Sequence, residues 1–474
     1  MRMSMGEVAG ILDTSTGDPD AIALGYSIDS RTVKPGQLFF AIQGPRFNGH
    51  EFVAQALQRG AVGAIVEKGF SGLAPGAVTA NLIQVSNPTD ALQRLALEVR
   101  RKWGRRLVAI TGSAGKTTTK EMVAAMLGQR FPVLKSPGNL NNDYGLPLAL
   151  LQLEPHHEAA VMELAMSAPG EIARLARIAE PQVGVVTNVA AVHLQFFDSV
   201  DSIGRAKREL IESLPDDGTA VLNFDDRRVR GFAEGFPGRV VTYGLEPGAI
   251  FRASDIRLAG EEGSQFRVEG PGMKGEYRVP LPGRHNVQNA LAAMATASLF
   301  DIPSAAIAEA LNQFQTLHQR SEILTLPGDI TILNDSYNSN PLAMEKMLET
   351  LAAWSGSKRR IVVAGEMLEL GPSSPELHKQ VGRRCFDIGV DWVLAVQGDA
   401  RFLLEGALEA GLAPDHGRFF PSAQEAGNYC ANLLRGGDVV LVKGSRGVHL
   451  EKVIELLQSH KEMLSPNKRG GVKG

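Results

Sequence analysis

The sequence predicts an α/β protein of three domains. Its 474 residues are enough for two to four domains, each with a buried core. Strand, loop and helix patterns alternate repeatedly along the chain, which contains 51 glycines. One hydrophobic strand, in "RLVAIT", runs into the glycine loop "TGSAGKTTT" and then into a helix. Alternation of this kind is typical of parallel sheets covered by helices.

The first two segments differ in size and pattern. Residues 1–102 contain the strand-like pieces "LFFAIQG", "AVGAIVEK" and "NLIQVS" and end in the helical pattern "TDALQRLALEVRRKWG", which predicts a small α/β domain. Residues 103–318 keep a strand–helix rhythm up to "GTAVLNFDD" and then turn β-rich over 239–282. The helical "GRHNVQNALAAMATASLF" follows, with small apolar residues at i, i+3 and i+4. We expect a central domain like that of P-loop ATPases, with a mostly parallel sheet.

The third segment, residues 319–474, shows another run of strands. These are "ITILNDS", "RRIVVAGEM", "DWVLAVQGD" and "DVVLVKGS", and Gly, Asp or Ser stands at the end of each. Ligands collect at the carboxyl edge of a parallel sheet, where such residues would lie. The pattern predicts a Rossmann-like α/β domain.

Composition argues against several classes of protein. Lys and Arg number 49 and Asp and Glu 52, and a net charge of −3 argues against binding nucleic acid or membranes through bulk charge. No run of eighteen apolar residues and no signal-peptide core occurs, so we expect a cytoplasmic protein without membrane insertion. Cys385 and Cys430 are too few for a disulfide framework, and we expect buried thiols. The basic end "SPNKRGGVKG" predicts a solvated tail rather than an RNA-binding arm.

The loop "TGSAGKTTT" has the chemistry of a phosphate-binding site. Gly112 and Gly115 allow backbone N–H groups to approach phosphate oxygens, and the helix N-terminus adds partial positive charge. Lys116 adds a full charge, and the Thr117 hydroxyl is placed to bind Mg²⁺. The first glycine of the usual G-x-x-x-x-G-K-[ST] pattern is missing, because Ile110 stands there. The structural alternative, a tight strand-to-helix turn, has no need of a lysine and three threonines.

A magnesium-dependent nucleotide enzyme needs oxygen ligands beyond the loop. Glu163, at the end of a strand in "VMELAMSAPGEI", is one candidate. His193 in "TNVAAVHLQFFDS" and Lys207 in "SIGRAKREL" are two others. Taken alone, each of these two is more often structural, as a packed histidine and a surface lysine.

The order and content of these stretches resemble the Mur ligase family. The loop is similar to that family's shortened T-G-x-x-G-K-T pattern, which also lacks the first glycine. "YSIDSRTVKPGQLFFAIQG" resembles its UDP-sugar-binding N-terminal domain, and "GRHNVQNALAA" resembles its adenine-side helix. "SPGNLNNDYGLPLALL", "NDSYNSNP", "AGEMLELG" and "VKGSRGVHLE" are similar to motifs of the branch that adds a D-alanyl-D-alanine dipeptide. The D-N-P-R motif of the branch that adds a diamino acid is absent.

The resemblance implies an ATP-dependent ligase that joins D-alanyl-D-alanine to UDP-N-acetylmuramoyl-tripeptide in cytoplasmic peptidoglycan precursor synthesis. It implies ATP and two Mg²⁺ ions as cofactors and closure of the C-terminal domain over the ATP; we expect a monomer. Amide formation in water needs an activated acyl group, which transfer of the γ-phosphoryl group to the carboxylate supplies as an acyl phosphate. The site must cradle the triphosphate, neutralise the transferring group and exclude water. The base that deprotonates the amine stays open between the phosphate and His193.

The resemblance also implies roles for individual residues. Those implied to hold ATP are Gly112, Ser113, Ala114, Gly115, Lys116, Thr117, Thr118, Asn289, Arg320 and Asp335. Those implied to bind magnesium are Thr117, Glu163, His193 and, as a carbamate with anionic oxygens, Lys207. The implied catalytic residues are Lys116, Glu163, His193 and Lys207. Those implied to face the UDP substrate are Ser30, Arg31, Asn48, Asn139, Asn141 and Asn142. Those implied to face the dipeptide are Tyr337, Asn338, Asn340, Glu366, Lys443, Ser445 and Arg446.

Three positions depart from the family's pattern. Gln319 stands where a glycine usually precedes the arginine, which puts the local turn and the aim of Arg320 in question. Asn48 replaces an aspartate in the UDP region, and Gln195 replaces a glutamate after the histidine.

Two other functions stay open. One is a relative with another acceptor, from the diamino-acid branch or similar to folylpolyglutamate synthase; the missing D-N-P-R and the stretch "SRTVKPGQLFF" argue against these. The other is a nucleotide-binding regulatory module without catalysis. The intact Glu163, His193 and Lys207 argue against that alternative.

Overall fold

The structure, a computed structural model, describes residues 1–44, 47–72, 81–315, 317–356 and 358–464. The predicted tail at 465–474 lies outside the described residues. Three larger sheets follow one another along the chain, in the order of the three predicted segments. The predicted α/β class with three domains is confirmed, and the boundaries at 102/103 and 318/319 stay predictions.

The first sheet is small and parallel. The N-terminal strands are β1 (Met3–Ser4), β2 (Ile22–Ala23), β3 (Gly25–Ser27), β4 (Gln37–Phe40), β5 (Gly63–Glu67) and β6 (Leu82–Val85). The helices are α1 (Met5–Ile11), α2 (Val53–Gln58) and α3 (Pro88–Trp103). Strands β3 to β6 pair in chain order and in parallel, while β1 and β2 form a separate antiparallel pair. Helix α3 begins where the Asn87 side chain caps its first turn and ends at Gly104, whose φ of 67° stops the helix.

The central sheet has nine strands. They are β7 (Leu107–Thr111), β8 (Val133–Lys135), β9 (Ala159–Glu163), β10 (Val183–Val186), β11 (Thr219–Asn223), β12 (Arg239–Gly244), β13 (Phe251–Leu258), β14 (Ser264–Gly270) and β15 (Met273–Val279). The helices are α4 (Lys116–Leu127), α5 (Gly145–Leu150), α6 (Glu171–Ala179), α7 (Val200–Glu212), α8 (Arg227–Gly231), α9 (Arg284–Ser298) and α10 (Ser304–Asn312). The strand order is β15-β14-β13-β12-β11-β10-β7-β9-β8, and all neighbouring pairs are parallel except β13–β14 and β14–β15.

Strand β7 occupies the position that matters for function. It lies between β9 and β10. The next strands in the chain, β8 and β9, lie on one side of β7, and the following strands, β10 and β11, lie on the other side. In open α/β sheets, ligands bind outside the carboxyl ends of the strands at such a switch point. All five residues of β7 are buried, because α4 and α9 cover one face of the sheet and α3, α5, α6 and α7 cover the other.

The C-terminal sheet has six strands. They are β16 (Glu322–Leu326), β17 (Ile330–Asn334), β18 (Arg359–Gly365), β19 (Trp392–Val396), β20 (Gly417–Phe420) and β21 (Asp438–Lys443). The helices are α11 (Pro341–Ala352), α12 (Ser374–Asp387), α13 (Ala400–Ala410), α14 (Ala423–Leu433) and α15 (Glu451–Leu464). The order is β16-β17-β21-β18-β19-β20, and only β16 is antiparallel. Cys385 and Cys430 are buried here as free thiols, as predicted.

Short 3-10 helices complete the described secondary structure. They are Gly49–Phe52, Gly260–Glu262, Gly371–Ser373, Pro414–His416 and Arg446–Val448. Among the described residues, no helix is both long enough and apolar enough to cross a membrane.

The turn that leads into the C-terminal sheet explains one departure from the family's pattern. Gln319 has a φ of 62° and Ser321 a φ of 49°, so both occupy the left-handed region. Glycine enters that region freely, whereas residues with a Cβ do so at a cost. Gln319 therefore keeps the backbone shape that a glycine would adopt. Its carbonyl accepts the N–H of Tyr337, and the Arg320 N–H donates to the Leu317 carbonyl.

We expect Gln319→Gly to raise the free energy of unfolding by about 0.5–1 kcal/mol. Relief of the left-handed strain is worth about 1–2 kcal/mol, and the greater freedom of glycine in the unfolded chain offsets part of it. Denaturant unfolding measures the change, and Gln319→Ala is the matched control, because alanine shortens the side chain and keeps the strain. Equal stabilisation by alanine would contradict this account.

Candidate active site

A cleft of about 640 Å³ opens at the carboxyl end of β7, between the central and C-terminal sheets. Most of the site residues predicted from the sequence line it. The predicted residues in its wall are Ser113, Ala114, Gly115, Lys116, Thr117, Thr118, Asn139, Asn141, Glu163, His193, Asn289, Arg320, Asp335, Tyr337, Asn338, Asn340 and Lys443.

Gly112 and Gly115 must be glycines, because neighbouring side chains lie too close to them for a Cβ to fit. Gly112 has a φ of 150°, and a Cβ there would lie 1.8 Å from the Thr187 hydroxyl oxygen. Gly115 has a φ of 80°, and a Cβ there would lie 2.4 Å from the Asn289 side-chain oxygen on α9. Any larger residue would push the loop away from the segments that support it. The missing first glycine of the usual pattern leaves both of these contacts intact.

The segment after β10 clamps the phosphate loop. The Ala114 N–H donates to the Asn188 side chain at 2.9 Å, and the Thr187 hydroxyl donates to the Ala114 carbonyl at 2.6 Å. The Ser113 N–H donates to the Asn188 carbonyl at 3.0 Å. These bonds preorganise the loop before any phosphate arrives. Sequence reasoning missed Thr187 and Asn188, although both follow directly after a buried strand.

Two cations face the phosphate position. The Lys116 ammonium donates to the Gly112 carbonyl at 2.8 Å, and Arg320 from the C-terminal segment also lines the cleft. Burial lowers the pKa of Lys116 below its usual 10.5; Glu163 opposes this lowering and Arg320 adds to it. An anion bound between Lys116 and Arg320 would relieve that repulsion.

Glu163 is the centre of an oxygen-rich cluster. Its carboxylate accepts the Thr117 hydroxyl at 2.8 Å and the Asn141 amide at 2.8 Å, and the residue is 3% exposed. Among the described residues, no group of three or more His, Cys, Asp or Glu lies close enough to form a metal cage. The cluster instead fits Mg²⁺, which takes one or two protein oxygens and completes its shell with phosphate and water.

Lys207 lies inside the protein on α7 and does not line the cleft. It is 2% exposed, and none of the described carboxylates forms an ion pair with it. Burial, together with the charge of Lys116, lowers the pKa of Lys207 well below its usual 10.5. The neutral amine, which this environment favours, is the form that can react with carbon dioxide. The alternative of an ordinary surface lysine is wrong.

His193 lies where the two sheets meet. Its Nδ1 is hydrogen-bonded to the carboxylate of Glu369, a residue that the sequence did not single out. The hydrogen bond from His193 lowers the pKa of Glu369. Asn340 forms a second link across the cleft, because its amide donates to the Ser113 carbonyl at 3.5 Å.

The arginine turn is held by an aromatic ring and an ion pair. The Arg320 guanidinium lies 4.0 Å from the ring centroid of Tyr337, and Arg446 donates to the Tyr337 hydroxyl at 3.0 Å. Asp335 accepts the Ser321 N–H at 2.8 Å and forms an ion pair with Lys443. These contacts aim Arg320 at the cleft despite the absence of a glycine before it.

Sequence reasoning did not single out Asp225, His285 or Gln288, which also line the cleft. Gln288 on α9 donates to Asp225 at 2.7 Å, and Asp225 also accepts two backbone N–H groups. His285 also lines the cleft, with its Nε2 3.5 Å from the Ser321 hydroxyl, and burial lowers its pKa to about 4. The available signal was "NFDD" at the end of β11, since acidic residues after a parallel strand lie at the ligand-binding edge.

The other predicted residues lie outside the cleft wall. In the N-terminal domain, the Ser30 hydroxyl donates to Gln55, Arg31 forms an ion pair with Asp29, and Asn48 caps a 3-10 helix. The remaining predicted residues outside the wall are Gly112, Asn142, Lys207, Glu366, Ser445 and Arg446. Of these, Gly112 and Arg446 contact cleft residues directly.

Comparison with known proteins decides the family. The Mur ligase family catalytic domain matches residues 24–100, the Mur ligase middle domain 110–297, and the Mur ligase glutamate ligase domain 319–446. The chain is 33% identical to the UDP-N-acetylmuramoyl-tripeptide--D-alanyl-D-alanine ligase of Escherichia coli, with 97% of this chain and 99% of that protein covered. The chain belongs to the Mur ligase family. It is therefore an ATP-dependent ligase, and the resemblance inferred from the motifs is confirmed.

Other relatives agree with this placement. The enzyme of the same name from Bacillus subtilis is 32% identical, over 92% of this chain and 93% of its own length. A crystal structure of MurF from Acinetobacter baumannii has a TM-score of 0.87 and 30% identity, with 97% and 99% of the two chains covered. The MurF ligase of Thermotoga maritima, solved in complex with ADP, has a TM-score of 0.81 and 28% identity, with 93% and 98% covered.

The loop after β18 of this Mur ligase depends on a buried histidine. His378 on α12 accepts the Met367 N–H through Nε2 at 2.9 Å, and its Nδ1 donates to the Ser374 carbonyl at 2.7 Å. The ring is therefore neutral, with its proton on Nδ1. Burial lowers the pKa of His378 below its usual 6.5.

We expect the stability of the C-terminal domain to fall as the pH drops from about 7 to about 5. The unfolded chain binds a proton on His378 below about pH 6.5 and the folded chain does not, so this contribution is present above that pH and lost below it. Tryptophan fluorescence during denaturant unfolding, at a series of pH values, measures the slope. His378→Gln should give a shallower slope than the parent, and an unchanged slope would contradict the prediction. His285 also has a lowered pKa and contributes to the slope in the same direction, but it is present in both the parent and His378→Gln. The difference between their slopes therefore comes from His378.

Proposed function

We propose that this enzyme joins D-alanyl-D-alanine to UDP-N-acetylmuramoyl-tripeptide and converts ATP to ADP and phosphate through an acyl phosphate. The observation that carries the proposal is the composition of one cleft. It combines a phosphate loop and Glu163 with residues from the C-terminal motifs typical of the dipeptide-adding branch. The names of the relatives from Escherichia coli and Bacillus subtilis support the same acceptor.

The phosphate loop would hold the triphosphate. Its backbone N–H groups and the start of α4 would face the phosphates, and Asn289 would lie on the nucleotide side. Lys116 and Arg320 would neutralise the group in transfer from opposite sides. The loop groups that would stabilise the charge on the transferring phosphoryl group need little reorganisation during the reaction, because the loop is already clamped by the segment after β10.

Thr117, Glu163 and His193, which line the cleft, would hold two magnesium ions together with Lys207, which lies behind the wall within reach of the charge of Lys116 and would act as a carbamate. Bound magnesium supplies charge neutralisation on the phosphoryl oxygens. Addition of carbon dioxide to the neutral Lys207 amine forms a nitrogen–carbon bond and releases one proton, leaving an anionic oxygen donor. The burial of Lys207 supports this step, because an ammonium there lacks a compensating carboxylate.

The acceptor side would be formed by the loops after β17, β18 and β21. Tyr337, Asn338, Asn340 and Arg446 would face the dipeptide, with the guanidinium near its carboxylate. The Lys443 ammonium is 1% exposed and is already bonded to Asp335 and to the Asn338 carbonyl. We therefore assign Lys443 to holding this loop. Glu366 and Ser445 would stay on the dipeptide side, where the Ser445 N–H donates to the Glu366 carbonyl and joins the loops after β18 and β21.

The UDP substrate would extend from the N-terminal domain to the cleft. Ser30, Arg31 and Asn48 would bind its nucleotide end, and Arg31 has an exposed guanidinium for this purpose. The loop with Asn139, Asn141 and Asn142 would line the path of its peptide end. The UDP-linked substrate supports a cytoplasmic location, and a monomer stays the expectation.

The direct test measures ADP release by the purified protein. We expect release to require Mg²⁺, the UDP-tripeptide and D-alanyl-D-alanine together, because the amine completes the reaction. ADP formed equally fast without the dipeptide would contradict the proposal. UDP-N-acetylmuramoyl-dipeptide with a free diamino acid is the control that represents the other branch.

We expect Lys207→Ala to abolish ligase activity, because the variant lacks the oxygen donor that the carbamate provides. Added bicarbonate should not restore the rate, whereas a short-chain carboxylic acid that occupies the vacated space should restore part of it. Steady-state assays with each additive measure the rescue, and Arg208→Ala, on the surface of the same helix, is the matched control. Near-normal turnover of Lys207→Ala would rule out a role for this lysine.

A further inference from the structure

Glu369 meets His193 across the seam between the C-terminal and central sheets. The His193 Nδ1 and the Glu369 Oε2 are 2.5 Å apart, although the residues are 176 positions apart in the chain. Beside this contact, the Gln195 N–H donates to the Glu369 carbonyl at 3.1 Å. Both the side chain and the main chain of Glu369 therefore engage the segment that carries His193.

The backbone on both sides of the seam adopts an unusual shape. His193 has a φ of 55° and Glu369 a φ of 64°, a conformation that costs a residue with a Cβ about 1–2 kcal/mol. The two segments are also closely packed, since a Cβ on Gly371 would lie 3.3 Å from the Gln195 Cα. Strain that is retained on both sides of one contact is typical of functional sites.

The contact determines how the imidazole is presented. A ring nitrogen that faces a carboxylate carries the proton, so Nδ1 donates to Glu369 and Nε2 keeps its lone pair. His193 lines the cleft, and no partner for Nε2 occurs within the part of the chain that the structure describes. Carboxylates orient metal-binding histidines in this way in many proteins.

We propose that Glu369 is a positioning residue, which is brought by the C-terminal domain and holds the His193 ring with Nε2 directed into the cleft. This inference rests on the proposed role of His193 in binding magnesium. The same C-terminal domain carries the residues assigned to the dipeptide. Its docking therefore both brings the acceptor and completes the arrangement of His193.

The first experiment compares Glu369→Ala, Glu369→Gln and a control in the full-length protein. The control is Glu451→Gln, because Glu451 contacts the Nδ1 of His449 at 3.1 Å on the C-terminal domain, away from the cleft wall. For Glu369→Ala we expect kcat to fall by about 10–100-fold and the Mg²⁺ concentration for half-maximal rate to rise. The KM for ATP should change little, since the phosphate loop is untouched. Glu369→Gln should retain part of the rate, because its amide oxygen can accept the Nδ1 proton.

The second experiment observes the histidine without turnover. Mn²⁺ and ADP are added, and pulsed electron paramagnetic resonance detects the coupling of a histidine nitrogen to the bound Mn²⁺. We expect this signal in the parent and in Glu451→Gln, and its loss or weakening in Glu369→Ala and His193→Ala. Thermal unfolding verifies that each variant is folded; if Glu369→Ala is not, the isosteric Glu369→Gln decides.

The outcomes separate the inference from the proposed function. An active parent whose Glu369→Ala variant keeps the rate, the Mg²⁺ dependence and the nitrogen signal overturns the role of Glu369 alone. A parent without the nitrogen signal and a fully active His193→Ala variant overturn the role of His193 and this inference with it. A parent that releases no ADP with all substrates overturns the proposed function itself.

Discussion

The concentration of positive charge at the phosphate loop is the constraint on which the rest of the site depends. Arg320 lowers the pKa of Lys116 and Lys116 lowers that of Lys207, while Glu163 is the carboxylate that opposes the lowering at Lys116. Like charges in a partly desolvated cleft repel strongly, so this arrangement favours the binding of an anion. Two changes relieve this repulsion: binding of a polyanion, and conversion of Lys207 from a cation to a neutral or anionic group. The same repulsion thus favours both nucleotide binding and a modified lysine.

This charge is assembled from distant parts of the chain, and the backbone is strained where they meet. His193 and Glu369 form the seam, and Gln319 and Ser321 form the turn that presents Arg320; all four have a positive φ. Such conformations persist only where surrounding contacts compensate for their cost. Here the compensation comes from identifiable bonds, such as those that Asp335 makes with Ser321 and Lys443.

The sequence predicted the parts of the site that depend on local pattern. The strand, glycine loop and helix around Lys116 follow from spacing alone, and the glutamate at the end of β9 follows from sheet geometry. The resemblance to a family added Arg320 and the C-terminal motifs. Glu369 lies within the "AGEMLELG" motif but was not singled out, because only the fold shows that its partner is His193, 176 positions away in the chain. Asp225 and Gln288 were missed for a related reason, since acidic residues after a strand are common and only the fold brings α9 against them.

The C-terminal domain carries both Glu369 and the residues assigned to the dipeptide, and this arrangement has a kinetic consequence. An acyl phosphate is useful only if an amine reaches it before water does. In the proposed arrangement, His193 is oriented when the C-terminal loops are docked against the segment after β10, and those loops include the residues assigned to the dipeptide. Phosphoryl transfer and the arrival of the amine would then depend on the same docked state. The C-terminal domain would orient His193 for activation of the carboxylate and would also bring the dipeptide amine that consumes the acyl phosphate. This coupling restrains hydrolysis of the acyl phosphate by water.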